Sequence, residues 1–228
     1  MNDRKELFKD IKKIVVKIGT SSLITKDGKF NREFANDIAR EVSKLKSKGK
    51  DVILVSSGAV GIGCEILDFK ERPQSIPLKQ ATAAVGQSLL MHEWSNVFEK
   101  HGLKVAQILL TYDAFSDRKT YLNLRNSMSS LLELGVIPII NENDPVCVHE
   151  IGETFGDNDT LSAMVSSKVE ADLLILMTDI DGLYTKNPKK TKDAIKIPVV
   201  EEITPEIESF GVGASEKGTG GMKTKREA

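Results

Sequence analysis

Lysine, hydroxyl, glycine and acidic residues follow the short apolar runs of this 228-residue sequence. Lys17 is the clearest candidate for a functional residue, because it interrupts the apolar run IVVKI, which is followed directly by GTSS. Burying an unpaired ammonium is costly, so a lysine in a central parallel strand indicates a function, such as contacting phosphate at the strand end. The alternative is a lysine that protects an exposed sheet edge.

Three further motifs each allow a functional and a structural interpretation. Ser56–Ala59 (SSGA) could bind an anion at a helix N-terminus, or a serine could simply cap that helix. Asp157–Asp159 could cap the helical run that follows, although a second acid suggests metal binding or the orientation of lysines. Asn141–Asp144 could close a turn before a proline, or could form a rim that reads the amino group of a substrate.

The end of the chain, SEKGTGGMKTKREA, resembles a phosphate loop in composition only. Gly213 and Gly218 have the spacing of the nucleotide loop G-x-x-x-x-G-K-[ST], but Thr219 stands where the lysine is required. A flexible polar end is the alternative. Because none of these motifs offers a Cys or His nucleophile, the set suits phosphoryl transfer, which depends on positioning and charge stabilisation.

Five apolar, β-branched runs alternate with segments of helical period and must position these motifs. The runs cover residues 14–18, 52–56, 105–111, 136–140 and 172–178. Helices are predicted at about 34–45, 79–100 and 117–134. This alternation predicts a parallel sheet with helices on both faces. Ligands bind such sheets beyond the carboxyl ends of the strands, where the motifs lie.

Composition excludes several classes of function. The net charge of −1 gives no basis for sequence-independent binding of nucleic acid or acidic membranes. Cys64 and Cys147 match no C-x-x-C spacing, which argues against a zinc site or a disulfide framework and fits a reducing compartment. The first ten residues lack the apolar core that a signal peptide needs, and no apolar run approaches 18 residues. We therefore expect a cytoplasmic protein that binds neither nucleic acid nor membrane.

Seven motifs occur in one order from Ile14 to the end of the chain: VVKIGTSS, VSSGAVGIG, KQATAAVGQ, IPIINENDPV, FGDNDTLSA, LMTDIDGLYTKNP and GTGGMKTK. Their order and spacing resemble those of the glutamate 5-kinases of the amino acid kinase family. The resemblance implies an α/β fold, a three-layer αβα sandwich with a mainly parallel central sheet. It also implies ATP-dependent phosphorylation of the side-chain carboxylate of L-glutamate to L-glutamyl 5-phosphate, the first step of proline biosynthesis.

The same resemblance implies site residues. Lys17 and Lys225 would stabilise the transferring phosphoryl group, and Asp157 would hold the two lysines in place. The residues that bind glutamate would be Ser57, Asp144 and Asn158. The residues that bind ATP would be Lys17, Thr178, Asp179, Thr219, Gly220, Gly221, Met222, Lys223, Thr224 and Lys225. Mg²⁺ would bridge the phosphates, and the glycine-rich tail would be the phosphate cradle of this family.

Partners and domain organisation follow from the resemblance in the same way. We expect a homo-oligomer, either a dimer or a tetramer, and the feedback inhibition by proline that the family shows. Family members usually continue past the GTGGM-x-TK loop with a helix and strands, and many then carry a PUA domain. We therefore expect residues 1–228 to form a single kinase domain that lacks the C-terminal helix and strands and has no PUA domain.

Two alternatives stay open. Aspartate, acetylglutamate and uridylate kinases share the architecture but differ in the loops after the first and fourth strands, where the motif INENDP favours glutamate. The chain could also be a catalytically silent binding module on the same fold. The presence of both Lys17 and Lys225 argues against that second alternative.

Overall fold

The structure is a computed structural model that describes residues 8–147, 158–188 and 190–210. The strands are β1 (Lys13–Ile18), β2 (Asp51–Ser56), β3 (Val105–Leu110), β4 (Ile137–Glu142), β5 (Leu173–Met177), β6 (Leu183–Tyr184) and β7 (Lys196–Ile197). The helices are α1 (Thr20–Leu23), α2 (Arg32–Ser47), α3 (Ala59–Ile66), α4 (Ile76–Glu99), α5 (Arg118–Glu133), α6 (Asn158–Lys168) and α7 (Pro205–Ser209). Two 3₁₀ turns cover Tyr112–Phe115 and Asp144–Val146.

Five parallel strands form the central sheet in the order β3-β4-β2-β1-β5. β1 lies inside this sheet, because Ile14 pairs with Val52 of β2 on one side and with Leu173 of β5 on the other. β6 and β7 form a separate antiparallel pair. All strand connections within the main sheet are therefore crossovers, as the alternating pattern predicts.

Helices cover both faces of the sheet, and two apolar clusters fill the spaces between the layers. Successive residues of a strand point to opposite faces. Ile14 and Val16 thus pack with α2, α3 and α4, whereas Val15 packs with α5 and α6. The prediction of an α/β fold with a mainly parallel sheet between helical layers is confirmed.

The prediction ended β4 too early, because Asn141 and Glu142 continue the strand beyond residue 140. Both stay in register with β3, opposite Leu109 and Leu110. The hydrogen bonds of the Asn141 amide, described below, allow a polar residue to remain inside the sheet. The prediction also missed α1 and the β6–β7 pair, which are too short to show a clear period.

α3 and α4 pack against each other with almost no space between their backbones. A Cβ atom on Gly86 would lie 1.9 Å from the carbonyl oxygen of Ala59, and one on Gly63 would lie 1.9 Å from that of Thr82. Only glycine allows such an approach at either position. Since α3 begins two residues after Ser57, this contact fixes the position of the turn that follows β2.

Among the helices in the described ranges, none has the length and apolar character that a bilayer span requires.

Candidate active site

A buried ion pair joins β1 to α6. The Lys17 ammonium lies 2.5 Å from Oδ1 of Asp159, and the two side chains are 9% and 1% exposed. β1 is an interior strand, so the interpretation of Lys17 as an edge lysine is wrong. The Lys17 side chain is buried together with a carboxylate partner, which offsets part of the cost of its burial.

The acid that pairs with Lys17 is Asp159, one of the two acids of the Asp157–Asp159 motif that the sequence interpretation linked to the orientation of lysines. The prediction assigned the lysine-holding role to Asp157, which lies outside the described residues. The sequence signal for Asp159 is the presence of this second acid, because one acid is enough to cap α6.

The Lys17 ammonium lies beside the backbone that follows β1. A Cβ atom on Gly19 would sit 3.5 Å from Lys17 Nζ and 3.7 Å from the carbonyl oxygen of Met177. The missing side chain leaves space next to the ammonium at the carboxyl ends of β1 and β5. Thr178 and Asp179 follow β5 at this end, with Thr178 partly buried and Asp179 exposed.

An amide network connects four elements beside this pair. Asn158 Nδ2 donates to Ser57 Oγ at 2.8 Å and to Asn141 Oδ1 at 3.0 Å. Asn141 Nδ2 in turn donates to Gln87 Oε1 of α4 at 2.8 Å. The network fixes the orientation of the Asn158 amide, whose Oδ1 is buried and has no hydrogen-bond partner among the described residues. A buried acceptor of this kind is expected to meet a donor from a ligand.

Ser57 does not cap the helix that follows it. The N-cap of α3 is Gly58, with φ of 113°, and no side chain caps the helix. The structural interpretation of SSGA as a serine cap is therefore wrong. The Ser57 hydroxyl instead accepts the hydrogen bond from Asn158.

Two buried carboxyl groups lie at the end of β4. Glu142 is 5% exposed and Asp144 is 8% exposed. The Cys147 thiol donates to Glu142 Oε1 at 2.8 Å, and burial together with this hydrogen bond raises the pKa of the thiol to about 12. Burial, followed by the charge of Glu142, raises the pKa of Asp144 to about 7. Asp144 therefore changes charge near neutral pH.

The structure thus brings some of the predicted residues together. Asn158 contacts Ser57 directly, Lys17 pairs with the neighbour of Asn158, and Asp144 and Thr178 follow β4 and β5. Asp157 and the segment from Thr219 to Lys225 lie outside the described residues. In the part of the chain that the structure describes, no group of three His, Cys, Asp or Glu side chains could hold a metal ion. The site offers a fixed cation for an anionic group and several acceptors for an ammonium group.

Comparison with known proteins gives one family and a set of similar relatives. The Amino acid kinase family matches residues 12–228. A protein named glutamate 5-kinase from Methanococcoides burtonii is 63% identical over 229 residues, which cover 100% of this chain and 61% of the relative. Those from Methanosarcina barkeri and Caldanaerobacter subterraneus subsp. tengcongensis are 58% and 52% identical, over 100% and 95% of this chain.

The chain spans about three fifths of the length of these relatives, with 62% and 58% of the latter two covered. The family match covers the sheet, the ion pair and the amide network described above. This chain therefore belongs to the amino acid kinase family.

Proposed function

We propose that the chain transfers the γ-phosphoryl group of ATP to the side-chain carboxylate of L-glutamate, giving L-glutamyl 5-phosphate and thereby starting proline biosynthesis. The observation that supports an amino acid substrate is the buried Asn158 Oδ1, which has no hydrogen-bond partner among the residues that the structure describes. Asn158 Nδ2 is used by Ser57 and Asn141, so only Oδ1 can receive a donor. A substrate ammonium supplies that donor, and the name of the relatives, glutamate 5-kinase, supports glutamate.

Ser57, Asn158 and Asp144 would hold the substrate. The Asn158 oxygen and the ionised Asp144 carboxylate both favour a cationic amino group. The Ser57 hydroxyl can donate a hydrogen bond to a carboxylate oxygen of the substrate. With its amino group held at β4 and α6, the substrate would extend its side chain toward β1. This arrangement explains why the part of the site that would hold the amino group is rich in oxygen atoms.

Lys17 would stabilise the negative charge on the transferred phosphoryl group. Its ammonium is already placed by Asp159, so little reorganisation is needed during the reaction. One oxygen of the substrate carboxylate forms a bond to the γ-phosphorus as the bond from that phosphorus to ADP breaks. A carboxylate is ionised at neutral pH and needs no general base, which agrees with the lack of His among the described residues of the site.

The remaining predicted residues belong to this proposal as well. Lys225 would act beside Lys17, with Asp157 near both, and the nucleotide would lie against Thr178, Asp179 and the segment from Thr219 to Lys225. Mg²⁺ would be bound mainly through the ATP phosphates, as this ion commonly is in kinases. Feedback inhibition by proline and a dimeric or tetrameric state are also expected.

The direct test is to trap the product. With ATP, Mg²⁺ and L-glutamate, an acyl phosphate should form and react with hydroxylamine to give a hydroxamate, in amounts equal to the ADP released. Lys17→Met should abolish most of this signal and serves as the matched control. Equal or greater ADP release with aspartate, acetylglutamate or UMP would contradict the proposed substrate.

A further inference from the structure

Trp94 of α4 lies directly beneath the turn that follows β2. Its side chain is fully buried, and its Nε1 donates to Ser56 Oγ at 3.0 Å. The Ser56 hydroxyl in turn donates to the carbonyl oxygen of Ser57 at 3.1 Å. Two hydrogen bonds thus connect the indole to the backbone of the residue that is proposed to contact substrate.

The direction of this relay follows from the chemistry of its members. An indole N–H can only donate, so the Ser56 oxygen must accept from it, and the single hydroxyl proton is left for the Ser57 carbonyl. The indole ring cannot easily turn away, because Phe30 packs edge-on at 5.5 Å between centroids and Phe98 packs at 5.7 Å. The relay is therefore rigid at its buried end.

Glycine gives this turn a conformational freedom that contacts with its neighbours must restrict. Gly58 has φ of 113°, in the left-handed region, and no side chain caps the helix that begins after it. The Ser57 amide donates to the Ile18 carbonyl at 3.1 Å, which ties the turn to β1 on one side. The Ser56 hydroxyl holds the Ser57 carbonyl on the other side.

We propose that Trp94 is a positioning residue that acts through the Ser56 hydroxyl to hold the Ser57–Gly58 turn in its ligand-binding conformation. The proposal rests on the function proposed above only for the identity of the ligand. Trp94 never touches the substrate in this account, and its effect reaches the site through one hydroxyl group. Since it is the only tryptophan of this chain, tryptophan fluorescence also reports the state of the turn.

Two variants remove one member of the relay each. Ser56→Ala removes the hydroxyl, and Trp94→Phe removes the N–H and keeps an aromatic ring. Each should raise KM for L-glutamate about 2- to 10-fold, the value of one hydrogen bond, and leave KM for ATP and kcat within about 2-fold. The double variant should have the KM of one single variant, because the two residues act in series. Glutamate should change tryptophan emission in the wild type and much less in Ser56→Ala.

Leu90→Val is the matched control, since Leu90 is fully buried one turn earlier in α4 and is not part of the relay. It should lower Tm and leave KM unchanged. Hydrogen exchange at the amides of Ser57 and Gly58 provides a test that needs no substrate, and it should be faster in both relay variants and unchanged in the control. Wild-type exchange in the relay variants would overturn the positioning role, as would an equal rise in KM in Leu90→Val. Failure of the wild type to phosphorylate glutamate would reject only the proposed function.

Discussion

At the scale of single residues, the pairing of Lys17 with Asp159 is the feature with the clearest functional meaning. Buried ion pairs are often no more stabilising than apolar residues of the same volume, because both charges lose their hydration. Stability alone therefore gives a weak reason for placing this pair in the centre of the sheet, with side chains 9% and 1% exposed. A cation that is held in position before the ligand arrives gives a stronger one.

Lys17→Met should separate the structural and catalytic contributions of this pair. The variant removes charge from the transition state, so kcat should fall on the order of 10²-fold or more. It also leaves the Asp159 carboxylate buried without its lysine, which should lower the free energy of unfolding by about 3–5 kcal/mol. Urea denaturation and steady-state kinetics measure the two effects.

The matched control is the double variant Lys17→Met with Asp159→Asn. Removing the second charge should restore most of the lost stability and none of the lost kcat, because a neutral pair has no cation for the phosphoryl group. Recovery of activity together with stability would show that Lys17 serves only the fold.

Asp144 should make glutamate binding depend on pH near neutrality. Its pKa is raised to about 7, mainly by burial and to a smaller extent by the charge of Glu142. As the pH rises through this value the carboxyl group ionises and attracts the substrate ammonium, so KM for L-glutamate should fall between about pH 6 and pH 8. Measuring KM across this range in the wild type and in Asp144→Asn tests the assignment.

Glu142→Gln provides the control for this pH dependence. Without the neighbouring charge the pKa of Asp144 should be lower, so the fall in KM should shift toward acid pH. An unchanged pH profile in Asp144→Asn would contradict the proposed contact.

The stability of the fold should fall as the pH rises, whereas glutamate binding improves. The folded pKa of Asp144 lies above the ordinary 3.8, so the stability contributed by protonated Asp144 is lost as the pH rises through about 7. Asp144→Asn should accordingly unfold at higher urea concentration than the wild type at pH 8.

At the scale of elements, the contact between α3 and α4 determines where the turn after β2 lies. α3 carries no side-chain cap, so its position depends on packing, and the closest packing is at Gly63 and Gly86. α4 also supplies Gln87 and Trp94, which support the site by hydrogen bonds. A change that moves these two helices apart should therefore disturb substrate binding without touching a site residue.

Whether Gly86→Ala raises or lowers the free energy of unfolding tests this contact. Helix propensity alone predicts that alanine stabilises a helix interior by about 1 kcal/mol relative to glycine. The new Cβ would lie 1.9 Å from the Ala59 carbonyl oxygen, so overpacking should instead destabilise the protein by about 1–3 kcal/mol. Urea denaturation gives the sign, and KM for L-glutamate should rise.

Ser88→Ala is the control, because Ser88 is exposed on the same helix and should change stability only slightly. A Gly86→Ala variant that is more stable than the wild type would show that the two helices can separate at little cost. This result would contradict the role of their close packing in positioning the site.

At the scale of the whole molecule, much of the fold could be predicted and the site only in part. The five apolar runs predicted the strands within a few residues, because a buried parallel strand has a continuous apolar pattern. Lys17 stood out because it broke that pattern. Its partner Asp159 was indicated only as part of the Asp157–Asp159 motif, because an acid in a first helical turn also has an ordinary explanation.

The supporting residues could not be predicted, because they depend on which elements become neighbours. Gln87 reaches Asn141, and Trp94 reaches Ser56, only because α4 packs across the end of β2 and β4. Nothing in the spacing of these residues along the chain marks them as partners. Local patterns indicate which elements form, whereas contacts between distant elements require the packed structure.

The interior position of β1 has a consequence for how the protein folds. β1 pairs with β2, which follows soon after it in the chain, and with β5, which follows much later; the amide of Lys12 and the carboxylate of Asp172 that accepts from it are 160 residues apart. Contacts between such distant segments require the closure of long loops and slow the folding of parallel sheets. During synthesis β1 and β2 leave the ribosome long before α6 and β5, so the edge of β1 that β5 will cover stays open and Lys17 lacks Asp159. Until synthesis has passed β5, the nascent chain is open to aggregation through that edge.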